Sequence, residues 1–374
     1  MRQNGSLMER THKFMASLLG LEVREYKGFL LSVAENLIVV TASYFSLKLM
    51  LKGFSPALQG NRGKLSAKAR AIIKKHVKKR INLSTHESVI ASGISDANDT
   101  GAEFKDIGGH EHIKETLRTS FCLQDKYSYL FEQKKSLVRE PKGILLYGPP
   151  GTGKTMLAKA LAAESNRIFI HITKEKLTGF LLGESEKTVA AIFSLARKLS
   201  PCIVFIDEVE NLLEKRSMGK FGTSSTVYSN MLTIFLEEWD GMNVNEGITI
   251  VGATNMPGMI DPAALRRFTY KYEVPIPTDE DRRKMLSIFL KHDKVADNFD
   301  YQAIVQASKN LTGSDLKNAL EQAAQTNLKQ SIKQWEQEEA TEEKKQLPPL
   351  TTQMVLDQLM SNRLASSKHQ QLYN

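Results

Sequence analysis

The chain has 374 residues, 41% hydrophobic and 25% charged, a composition that excludes a disordered or fibrous protein and leaves room for one large or two ordinary domains plus an extension. Its formal net charge of +9 is local, because ten basic residues and no acid lie between Lys52 and Arg80, and the remainder holds 41 basic against 42 acidic residues. That balance gives little support for a nucleic-acid-binding body, and two cysteines in unrelated contexts, Cys122 and Cys202, suggest no disulfide or metal framework.

Residues 1–28 read as a short N-terminal tail. From Phe29 to Leu51 the chain is mostly apolar and about long enough to cross ~30 Å of hydrocarbon as a helix. Lys48 would snorkel at one end, and Glu35 would sit near the opposite interface. A secretory signal and a core helix are the rival readings. Against the signal, a basic block follows at once, and the positive-inside rule keeps such a block on the cytosolic side. Residues 52–100 then read as a basic helical linker. Its stretch "SAKARAIIKKHVKKR" is a juxtamembrane helix or an ordinary solvated connection.

Near Gly101 the composition changes. "GILLY", "RIFIHI", "CIVFIDE" and "GITIVGATN" are short apolar runs separated by helical patterns, which predicts a doubly wound α/β core with a parallel sheet over 101–275. From Pro277 onward helical patterns dominate, so 276–374 is expected to form a helical lid and a C-terminal helix.

"GPPGTGKT" matches G-x-x-x-x-G-K-[ST] between a strand and a helix. Glycines let backbone N–H groups curl around phosphates, and the helix N-terminus adds its positive end. Gly148, Pro149, Pro150, Gly151, Thr152, Gly153, Lys154, Thr155 and Met156 are therefore the expected nucleotide-binding loop, with Lys154 on the β- and γ-phosphates and Thr155 on Mg²⁺. Asp207, at the end of "CIVFID", is placed to hold the same Mg²⁺ through water. Glu208 is placed to deprotonate the attacking water, a task a simple nucleotide-binding switch does not need. Asn255 closes another apolar run and would hold that water or the γ-phosphate; an Asn there also commonly satisfies a turn.

"DIGG", "GPPGTGKT", "FIDE", "GATN", "DPAALRRF" and "LTGSDL" occur in the order and spacing of the AAA+ ATPases, which the chain resembles from about Phe104 to Gln325. The resemblance implies ATP as substrate, a homo-hexameric ring with nucleotide between subunits, and Asp106, Ile107 and Gly108 near the adenine. It also implies that Arg266 and Arg267 reach a neighbour's site as arginine fingers. Relatives often carry a further Arg; here the nearest basic residue is Lys271.

Within that superfamily "LRRF" is similar to the branch of spastin, katanin and the membrane-anchored outer-mitochondrial-membrane dislocases. The N-terminal layout favours the last, which remove mislocalised tail-anchored proteins from mitochondrial and peroxisomal membranes. The resemblance implies tail-anchored substrates, contact with the bilayer through the N-terminal helix, an ATPase domain facing the cytosol, and a first pore loop at Phe180, Leu181 and Leu182. The family's loop carries an adjacent Trp and Tyr, so Leu181 and Leu182 are a departure. Three other readings compete with this one. A severing enzyme lacks its long preceding interaction domain here. An anchored protease would need H-E-x-x-H, which neither "HEHIK" nor "HESVI" satisfies. A scaffold that only binds ATP would not need Lys154, Asp207 and Glu208 together.

Overall fold

The computed structural model describes residues 14–15, 41, 43–46, 65–77, 81–122, 141–178, 184–215, 223–242, 247–337 and 346–372. The chain divides into two compact units, Met1–Gly63 and Lys64–Asn374. In the first, Phe14, Met15, Thr41, Ser43, Tyr44, Phe45 and Ser46 are helical and exposed. The rest of the expected 29–51 span lies outside the described residues. Among the described residues, no helix is long and apolar enough to cross a membrane.

The second unit opens with helices α1 (Ala67–His76) and α2 (Thr85–Ala91), a two-residue strand β1 (Ile94–Ser95) and helix α3 (Glu111–Leu117). Strands and helices then alternate: β2 (Gly143–Tyr147), α4 (Lys154–Glu164), β3 (Ile168–Ile172), α5 (Lys174–Thr178), α6 (Glu184–Leu199), β4 (Cys202–Ile206), α7 (Thr223–Asp240), β5 (Ile248–Thr254), α8 (Pro262–Arg267) and β6 (Tyr270–Glu273). Four helices follow, α9 (Asp279–Phe289), α10 (Tyr301–Ala307), α11 (Gly313–Gln337) and α12 (Thr352–Leu372).

The six strands lie in the order β1-β3-β4-β5-β2-β6, parallel throughout except for β1. The apolar runs alternate between two cores, as a sheet covered on both faces requires. Ile203 and Phe205 of β4 join Ile144, Leu146, Val251 and Ala253 under α3 and α4. Val204 and Ile206 face the other way, joining Leu145, Ile250 and the apolar sides of α6 and α7. A third core, built from Met285, Leu286, Leu316, Leu320, Val355 and Leu359, belongs to the helices after β6.

The folded body begins before the composition change at Gly101. Although α1 is basic, Ala69 and Ile72 on one side of it are buried, and Lys75 and His76 bind Asp96 at 2.5 and 3.0 Å. A capping box at Ser84 and Glu87 starts α2, which packs on α6. Ile94 then pairs with Ile170 at the sheet edge. The segment expected to be a basic helical linker therefore contributes, from Leu65 onward where it is described, to the same core as the sheet.

Candidate nucleotide site

The loop between β2 and α4 takes its shape from its glycines. Gly148, Gly151 and Gly153 have φ of 147°, 76° and 95°, a region that L side chains rarely enter. A Cβ on Gly148 would also lie 2.3 Å from the Val274 carbonyl oxygen. The loop closes at Gly153, the N-cap of α4, so the helix N-terminus faces the same space. Lys154 is the first helical residue and is buried; its Nζ donates to the carbonyls of Gly148 at 2.9 Å and Pro149 at 2.7 Å. Burial lowers its pKa, and the nearby Asp207 and Glu210 offset part of that effect.

Asp207 directly follows β4, where its N–H donates to the Ile172 carbonyl and extends the strand pairing by one residue. That position brings its Oδ2 to 3.2 Å from the Thr155 hydroxyl, which donates to it. The two form an all-oxygen pair beside the phosphate loop, the donor chemistry that suits Mg²⁺. Among the described residues no group of three His, Cys, Asp or Glu side chains is placed to hold a metal by itself. An ion here would complete its shell with phosphate and water, the usual Mg²⁺ arrangement.

Glu208 is exposed and sits at φ 47°, an uncommon conformation for a non-glycine residue. Its N–H donates to Asp207 Oδ1 at 3.0 Å, and its Oε2 accepts from Asn211 Nδ2 at 3.1 Å. The carboxylate is thus held on a fixed turn next to Asp207. Asn255 is exposed at the end of β5, where the next peptide is tied down by Met256 N–H donating to Thr254 Oγ1 at 2.9 Å.

Beside Asp207 lies a cleft of about 600 Å³, whose lining does not include Gly148, Pro149 or Glu208. Asp106, Ile107 and Gly108 form one wall, Pro150 to Met156 the floor, and Asp207 and Asn255 one end. The roof comes from the expected helical lid, but its lining residues were not named from the sequence: α9 contributes Met285, Ile288 and Phe289 and α11 contributes Gly313, Ser314 and Lys317. A Cβ on Gly108 would lie 2.7 Å from the Met285 backbone nitrogen, and Ser314 N–H donates to the Gly151 carbonyl at 3.2 Å. Small residues at those points let the helical part close on the loop. "LTGSDL" was visible as a motif, but its side of the cleft was not.

Arg266 and Arg267 end α8 and do not line this cleft. Arg266 is exposed, whereas Arg267 is half-buried and bound to Asp240. Lys271 is exposed on β6, in register with Leu145. Phe180, Leu181 and Leu182 lie outside the described residues.

A phosphate loop, a facing strand-end acid and a helical roof over one cleft define a nucleoside-triphosphatase of the phosphate-loop class. The profile of the ATPase family associated with various cellular activities (AAA) matches residues 144–276. An outer mitochondrial transmembrane helix translocase of Xenopus tropicalis is 30% identical over 329 residues, 87% of this chain and 90% of its own. A mitochondrial sorting homolog of Caenorhabditis elegans is 33% identical over 81% of this chain and 87% of its own. A proteasome-activating nucleotidase of Saccharolobus islandicus is 36% identical over 78% and 71%. The chain belongs to the AAA family of ATPases.

Proposed function

We propose that this ATPase is a membrane-protein translocase: a homo-hexamer, tethered to the mitochondrial outer membrane by 29–51 with its ATPase body in the cytosol, that extracts mislocalised tail-anchored proteins through its central pore. The peroxisomal membrane is a second expected site of action. The observation that carries the reading is the extent of the similarity to proteins named outer mitochondrial transmembrane helix translocase, which runs well beyond the ATPase profile. Similarity to a proteasome-activating nucleotidase supports the ATPase core and does not select the substrate. The apolar stretch before the basic block supports the tether.

In the cycle, Lys154 exchanges the carbonyls of Gly148 and Pro149 for β- and γ-phosphate oxygens, and the loop N–H groups take the remaining charge. Thr155 and, through water, Asp207 would hold Mg²⁺, which would supply charge neutralisation on those phosphates. Glu208, oriented by Asn211, accepts the proton of the attacking water, and Asn255 positions that water or the γ-phosphate. Arg266 or Arg267, arriving from the neighbouring subunit, stabilises charge on the transferring group. Phe180, Leu181 and Leu182 grip the substrate chain in the pore by hydrophobic intercalation, in place of the aromatic pair of related loops.

The test is Glu208→Gln in the full chain. It is expected to keep ATP affinity, lose turnover and hold substrate without releasing it. Turnover at the wild-type rate would remove Glu208 from its role.

A further inference from the structure

Helix α1 carries its positive charge on two sides that do different work. Its inner side is Ala69 and Ile72, both buried. Lys68 and Lys75, seven residues apart and so on one flank, pair with Asp99 at 2.6 Å and Asp96 at 2.5 Å. Two aspartates of the same body thus neutralise that flank. The outward side holds Ala67, Arg70, Ala71 and Lys74, all exposed. Arg70 and Lys74 form no ion pair among the described residues.

Like charges four residues apart destabilise a helix, and α1 contains no acid to offset them. None occurs anywhere from Lys52 to Arg80, and Lys78, Lys79 and Arg80 follow α1 directly in the sequence. An exposed face whose cations are merely solvated usually mixes both signs of charge. This one presents two cations separated by small alanines, which leave a flat surface free to approach both. The charge balance of the rest of the chain speaks against nucleic acid as that surface. Fifteen residues lie between Leu51 and Ala67, at most roughly 55 Å of extended chain. A tether at 29–51 would therefore keep α1 at high effective concentration over the headgroups.

We propose that the outward face of α1, through Arg70 and Lys74, is a contact surface for anionic lipid headgroups of the membrane that holds the tether. The proposal rests on the tether and goes beyond it, because it gives the ATPase body a lipid contact of its own.

The test is lysine footprinting of the full chain in liposomes, made either of phosphatidylcholine alone or of an equal mixture with phosphatidylserine. A water-soluble succinimidyl ester acylates exposed amines, and mass spectrometry reads the rate at Lys74 against that at Lys291, an exposed lysine after α9. In the anionic liposomes Lys74 is expected to react about fivefold more slowly than in the neutral ones, the order of one cation's attraction to an anionic leaflet. High salt should restore the rate by screening. In Arg70→Gln the protection is expected to fall to about twofold, since one of two cooperating charges is gone. Equal rates in the two kinds of liposome, or full protection in Arg70→Gln, overturn the proposal. Protection that appears only when a tail-anchored protein is added assigns the face to an acidic segment of that protein, and also overturns it. Alkaline carbonate applied to the same liposomes keeps the two readings apart. A chain that washes off overturns the tether and the proposal with it, whereas a retained chain with equal Lys74 rates overturns the proposal alone.

Discussion

Arg267 binds both carboxylate oxygens of Asp240, with Nε 2.8 Å from Oδ1 and Nη2 2.5 Å from Oδ2, while its neighbour Arg266 stands exposed on the last turn of α8. A third bond, from Nη1 to the Ala263 carbonyl at 2.8 Å, fixes the guanidinium against its own helix. Within one subunit the pair divides: Arg267 holds α8 to the end of α7, and Arg266 is left exposed.

Separate measurements should divide the two arginines in the same way. Arg266→Ala is expected to leave thermal stability unchanged and to lower ATP turnover by about 10³-fold, the order of an arginine-finger loss. Arg267→Ala is expected to cost about 0.5–1 kcal/mol of stability, as for a well-formed but partly solvated bidentate pair. Thermal unfolding and phosphate release on both variants check this. Normal turnover in Arg266→Ala would exclude it as the finger.

Gly108 faces the backbone of Met285 with no room for a methyl group. Gly108→Ala is expected to push the roof away at a cost of about 1–3 kcal/mol. Read in nucleotide binding, that is roughly a 5- to 150-fold weaker Kd. Titration with a fluorescent nucleotide would show it, and an unchanged Kd would mean that the roof does not close on the ligand.

Glu87 ties the segment before Gly101 to the ATPase body. It is 2% exposed; Ser194 and Lys198 donate to its Oε1 at 2.7 and 2.6 Å, and Ser84 N–H donates to its Oε2 at 2.6 Å. Burial raises its pKa, but Lys198, the Ser84 N–H and Ser194 together outweigh burial and leave it below the ordinary 4.5. A carboxyl depressed on folding adds stability that is present above its unfolded value and lost as pH falls through its folded value. Acid titration of unfolding should therefore show wild type losing stability below about pH 4.5, relative to Glu87→Gln, with the difference largest at neutral pH. Glu87→Gln should cost about 2 kcal/mol there, through lost charged hydrogen bonds. A variant as stable as wild type at pH 7 would detach this segment from the folded body.

Lys154→Ala is expected to abolish measurable nucleotide binding, since it removes the one cation within the loop. Equilibrium binding of ATP would check this, and unchanged affinity would overturn the loop's assignment.

The sequence made the floor of the cleft legible because it is local. "GPPGTGKT" carries its glycines, lysine and threonine within one turn, and Asp207 and Asn255 end apolar runs whose period announces strands. A helical lid was legible too, but not which of its residues meet the cleft, because Met285, Phe289 and Ser314 reach the site by docking of a separate helical core, and no local period records that docking. Residues 65–100 read as linker because basic composition masked the buried side of α1 and because β1 is only two residues long. The two adjacent arginines were indistinguishable until Asp240 was seen to take one of them.

The central claim is tested most directly by reconstitution. Full-length wild type and Glu208→Gln would be placed in separate liposomes, each with a tail-anchored test protein, and release of that protein into solution measured with and without ATP. The account predicts ATP-dependent release by wild type and none by Glu208→Gln. Equal release from both, or release without ATP, would contradict it.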